Sequence, residues 1–124
     1  MAVRVYISQP MRGKTNEEIE ETRKLAFEDA KQYLTTIEKI PEENIELVDS
    51  FLKDYKVPES DEYHIEKPIY MLGKSIQILS TADWIYMGKE WEDHTGCRIE
   101  FTVAKYYGIH IIHNTWNGKE QDVQ

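Results

Sequence analysis

Four short apolar runs, each parted from the next by a stretch long enough to return the chain across a sheet, constrain this sequence more than anything else in it. The runs are AVRVYIS (2–8), IELVD (45–49), ADWIYM (82–87) and IHIIH (109–113). Helical periodicity fills much of the space between them. Strands that alternate with helices build a parallel sheet with helices on both faces, because each element must bury an apolar side against another layer. Parallel crossovers are right-handed. The expected strand order is 2-1-3-4, which puts the topological switch point between the first and third strands. Ligands bind there, beyond the carboxyl ends of the strands.

The local signals agree with that frame. After the first strand comes a turn-rich stretch, Gln9-Pro10-Met11-Arg12-Gly13-Lys14. Thr15 and Glu18 have capping-box spacing and start the first helix. Ile19, Ala26, Ala30, Tyr33 and Ile37 can share its buried face, with Glu17, Glu20, Glu21, Lys24, Glu28 and Lys31 on a solvated one. Pro41 ends the segment. FLKDYKVPESDEYHIE (51–66) is a long polar loop, a kind of segment that is often functional or mobile. Pro68 opens the second helix, with Ile69, Leu72, Ile76 and Leu79 as its stripe. The third helix starts near Gly96, buries Ile99, Val103 and Tyr106 or Tyr107, and stops at Gly108. The fold class expected is thus α/β, a three-layer sandwich of flavodoxin-like (Rossmann-like) topology. It forms one domain over residues 1–114, with 115–124 as a polar tail.

The 124 residues fit a single core. No apolar run approaches the roughly 18 residues of a membrane span, and MAVRVYIS lacks a signal-peptide pattern. One cysteine, Cys97, rules out an intrachain disulfide and fits a reducing cytoplasm. The net charge of −8 argues against binding a nucleic acid polymer or an anionic membrane. A small phosphorylated ligand stays open, since one Arg and a few backbone N–H groups can hold a phosphate.

At the switch point the topology brings two loops together: Ser8-QPMRGK after the first strand and GKEWEDHT after the third. Glu100, one turn into the third helix, can face the same crevice. An Arg- and Gly-containing loop opposite a carboxylate suits an anionic sugar, with Arg12 and the first helix's N-terminus on the anion. Each residue also has a plainer reading. Glu100 can be an acid favoured by the helix dipole. Ser8 and Gly13 can simply shape a turn, Arg12 can be a surface charge, and Trp91 can cap the core. Tyr6 can be core, His94 can lead into a helix without doing chemistry, and Asp93 or Thr95 can cap that helix. Cys97 reads as a small packing residue. His110 and His113 lie three apart on a strand, so their rings face opposite sides and no metal site is expected.

VYISQPMRGK, followed by ADWIYMGKEWEDHTGCRIEFTVAKYYGIHII, resembles the nucleoside 2-deoxyribosyltransferase superfamily. The resemblance is closest to a small phage and bacterial branch of largely unassigned function, and it covers most of residues 3–113. It implies a homo-oligomer with no cofactor, acting on a small nucleoside or nucleotide. It also implies a Glu nucleophile that attacks the anomeric carbon. Glu100 matches that Glu, Gly96 the glycine four residues before it, and Tyr6 an aromatic beside the sugar. The early loop, Ser8 to Gly13 with Gln9 and Arg12, maps onto a 5′-phosphate site; apart from the resemblance, Trp91 reads equally as a binding-loop aromatic or as a cap on the core. Three positions depart from the pattern. Ser75 and His94 stand where the transferases carry acidic or Asp/Ser residues, and Gln9 replaces a glycine. The function expected is cleavage or transfer of an N-glycosidic bond, with His94 as the substitute acid. The alternative is a non-catalytic nucleotide-binding or sequestering protein on the same fold, which Ser75 favours.

Overall fold

The computed structural model describes residues 2–117. Four strands form one parallel sheet: β1 (Val3–Ser8), β2 (Ile45–Leu47), β3 (Trp84–Met87) and β4 (His110–His113). Three helices connect them: α1 (Asn16–Thr36), α2 (Lys67–Leu79) and α3 (Thr95–Tyr107). The order is β2-β1-β3-β4, the α/β three-layer arrangement expected, with β1 and β3 adjacent.

The two-residue period of the strands makes two cores. Val5 and Ile7 of β1, with Tyr86 and Ile112, pack under Ala26, Ala30 and Leu34 of α1. Tyr6 between them points the other way and joins Ile85, Met87, Leu79, Cys97 and Ala104 under α2 and α3. Leu34, Leu79 and Ile85 are fully buried, each worth about 1.5–3 kcal/mol over an exposed position.

Helix ends follow local chemistry. The Thr15 hydroxyl accepts from the Glu18 N–H at 3.1 Å, while the Glu18 carboxylate accepts from the Thr15 N–H at 2.9 Å. Thr15 is therefore the cap, and α1 begins one residue later. Gly108 takes φ 83°, and its N–H donates to Ala104 O, closing α3. At the carboxyl ends of β1 and β3, the Gly88 N–H donates to Ser8 O at 2.8 Å. A Cβ at Gly88 would lie 3.0 Å from that oxygen, so the glycine permits the close approach.

The helix faces needed correction. Ile37 is exposed, and Leu34 and Arg23 take its place on the buried face of α1. Ile69 is exposed on α2, where Leu79 alone is fully covered. On α3 the buried set is Cys97, Glu100 and Ala104, while Ile99, Tyr106 and Tyr107 face outward. Tyr6, Ile85 and Met87 already fill the space beneath α3, so a close-packed fit takes small residues there. The first residues after β4 also belong to the fold: Trp116 packs on the α1 core, edge-on to Tyr33 at 5.4 Å. Residues 118–124 of the expected tail lie outside the described residues. No helix among the described residues is long and apolar enough to cross a membrane.

Candidate functional site

At the carboxyl edge of the sheet a cleft of about 540 Å³ opens between the loop after β1, the segment after β2, α2 and the start of α3. That volume lies within the usual 300–1,000 Å³ of small-molecule sites. The position follows from topology, because the β1–β3 switch point leaves a gap between loops that cross to opposite faces.

Glu100 lines the cleft although it is only 8% exposed. The rotation of α3 that buries Cys97 and Ala104 turns Glu100 inward as well. Its two oxygens are held from β1: the Tyr6 hydroxyl donates to Oε2 at 2.7 Å and the Ser8 hydroxyl to Oε1 at 2.6 Å. Burial pushes the Glu100 carboxyl above the usual range, while the two donors pull it back toward the ionised form. Burial, then the Glu100 charge, raises Tyr6 far above an ordinary phenol. Cys97, also in the cleft wall, is pushed up to about 11 by burial. Glu100 is the one carboxylic acid of this buried cluster, and each carboxylate oxygen keeps accepting capacity beyond its one donor.

Arg12, His94, Gly96 and Gln9 all line the cleft. Gln9 donates through Nε2 to Ile19 O at 3.2 Å, and its buried Oε1 has no partner among the described residues. Gly13 and Trp91 are not part of the lining. Gly13 adopts φ 80° in the turn, and Trp91 stacks on Phe101 at 4.6 Å over the α2–α3 core. The N-terminus of α1 does not line the cleft either, and its own capping box occupies it. The helix start that does line it belongs to α3, through Thr95, Gly96 and Cys97. Neither Asp93 nor Thr95 caps α3. His94 occupies that position without a capping side-chain bond.

Three contributions escaped sequence reasoning. Ser50, Phe51 and Leu52 form a wall, and Met71 and Leu72 of α2 continue it beside Ser75. Arg23 of α1, 8% exposed, holds that first wall: Nη1 donates to the Ser50 hydroxyl at 2.8 Å and Nη2 to Val48 O. The length of the polar loop after β2 was the available signal for the wall. Nothing in an amphipathic pattern singles out one buried Arg.

No group of three or more His, Cys, Asp or Glu among the described residues is placed to hold a metal ion. The His110 ring packs on Trp84 and the His113 ring lies near Phe101, on opposite faces of the sheet.

A family model described as "Domain of unknown function (DUF4406)" matches residues 3–113, from the first residue of β1 to the last of β4. No curated protein and no solved structure matches the chain.

Proposed function

The chain belongs to the DUF4406 family, whose description assigns no activity, and we propose that its cleft cleaves or transfers the N-glycosidic bond of a nucleoside or nucleotide with Glu100 as nucleophile. One observation carries this reading. A buried carboxylate, held by hydroxyl donors at 2.7 and 2.6 Å, faces a ligand-sized cleft. α3 begins at Thr95 and has no acid in its first turn, so the helix dipole does not account for Glu100, whose burial carries a desolvation cost. The resemblance to nucleoside 2-deoxyribosyltransferases points to the same residue.

In this mechanism a Glu100 oxygen attacks the anomeric carbon as the base departs, forming a glycosyl ester. Tyr6 and Ser8 fix the carboxylate and limit the rise in its pKa. Water or a second base then takes the sugar from Glu100. Arg12 and the α3 start border the cleft where a 5′-phosphate would be held.

Ser75 favours a second reading, a non-catalytic nucleotide-binding protein, because it lines the cleft without an acidic proton for the leaving base. The two readings part in one experiment. Deoxynucleosides, ribonucleosides and their monophosphates are incubated with the protein, and free base is measured by chromatography. Base release that disappears in Glu100→Gln supports catalysis. Intact substrates that still raise the melting temperature support binding alone.

A further inference from the structure

The cleft divides its polar groups unevenly. Glu100 and Tyr6 line it near the end of β1 and the start of α3, and the buried Ser8, outside the lining, bonds to Glu100. The wall built from Phe51, Leu52, Pro68, Met71, Leu72 and Ser75 carries no ionisable side chain. If the sugar lies against Glu100, as the glycosidic reading requires, this acid-free wall faces the leaving group.

A neutral purine or pyrimidine leaves as an anion unless it is protonated, and general-acid help is worth about 10²–10⁴ in rate. The nearby protic groups are poorly suited to give it. The Tyr6 proton is committed to Glu100 at 2.7 Å, and the Cys97 thiol is buried and weakly acidic. His94 and Asp93, which also line the cleft, belong to the segment that leads into α3 and not to this wall.

We propose that the substrates of this cleft are N-glycosides of a quaternary, pyridinium-type nitrogen, whose leaving group already carries the positive charge that protonation would otherwise supply. This rests on the glycosidic reading and narrows its substrate class. A lone pair on a Glu100 oxygen forms the bond to C1′ while the C1′–N bond breaks. The bonding pair moves onto the ring nitrogen, cancels its charge, and the pyridine leaves neutral with no proton transferred. Water then attacks C1′, frees the Glu100 carboxylate and loses one proton to solvent. The same walls suit the ground state. A flat cation is drawn to the buried carboxylate, and the Phe51 ring and Met71 thioether offer it a polarisable surface.

The test uses pairs matched in sugar and phosphate: nicotinamide riboside against adenosine, and nicotinamide mononucleotide against adenosine monophosphate, each in ribo and 2′-deoxy form. Values of kcat/KM are divided by the uncatalysed rate of each compound. The nicotinamide member of a cleaved pair is expected to be favoured at least tenfold, and about 100-fold if the acid is wholly missing. Release from every compound should vanish in Glu100→Gln. A ratio below tenfold overturns the pyridinium proposal and leaves the glycosidic reading standing. No release from any pair overturns both.

Discussion

Glu100 is the residue at which charge, burial and hydrogen bonding conflict most, so its titration is the most informative measurement on the molecule. Tyr6, Ser8 and Cys97 are the groups around it. Tyr6 and Cys97 are both shifted upward and stay neutral while Glu100 ionises. Burial raises the Glu100 pKa in the folded state, so the folded protein binds that proton more tightly than the unfolded chain does. Its contribution to stability is therefore greatest below the ordinary carboxylate pKa of about 4.3 and is lost as pH rises through the folded value. Glu100→Gln removes this dependence. The difference in melting temperature, mutant minus wild type, should become more positive as pH rises through that window, measured by thermal scans in a buffer series. A constant difference would mean that the carboxylate is not desolvated. Turnover in the same variant should be lost. Tyr6→Phe tests the other half of the balance. With one donor gone, the carboxylate is harder to ionise, so the acid limb of kcat/KM against pH should move to higher pH. Leaving the charge short of a partner should cost about 1–3 kcal/mol of stability by denaturant titration.

At the scale of elements, capping and turn chemistry were legible and helix orientation was not. Thr15 with Glu18, and Gly108, do locally what their spacing says. Thr15→Ala should cost about 1 kcal/mol in a denaturant midpoint, with a range of about 0.5–2. The face of α3 could not be read, because Ile99, Val103 and Tyr106 make as good a stripe as Cys97, Glu100 and Ala104. The choice is made by what lies beneath the helix, and periodicity carries no information about the sheet's side-chain volumes. That one rotation also decides whether Glu100 is a surface acid or a buried one. The wall after β2 was hidden for a similar reason. Its shape depends on Arg23, whose contacts with Val48 O and Ser50 are separated from it by more than twenty residues. Arg23→Met should remove both contacts while sparing the burial of a charge, for a net loss of about 1–3 kcal/mol. Amide hydrogen exchange should quicken through residues 49–66 more than in the sheet. Uniform exchange changes would count against a local anchor.

For the whole molecule, strand order followed from the alternation of elements and the handedness of crossovers. The acidic outer face of α1 was legible as well, whereas the face that α3 turns outward was not. Exposed Glu17, Glu20, Glu21 and Glu28 make the α1 side acidic. Over the α2 and α3 ranges the charged residues are Lys67, Lys74, Arg98 and Lys105, plus the buried Glu100. The α2–α3 layer exposes Ile69 at 68% near the start of α2, and Tyr106 at 75% and Tyr107 at 82% at the end of α3. Tyr106 and Tyr107 are adjacent and the most exposed of the large apolar side chains, and such a pair on a surface short of acids marks an association surface more often than a solvated one. The net charge of −8 opposes self-association least where acids are absent. We therefore expect a homodimer or larger assembly joined through α2 and α3. Static light scattering at micromolar concentration should give at least twice the monomer mass. Tyr106→Glu with Tyr107→Glu places two acids on that surface and should yield a monomer with unchanged far-ultraviolet circular dichroism. A monomeric wild type would end the assembly prediction. An assembly that survives the double substitution would move the interface elsewhere on the molecule.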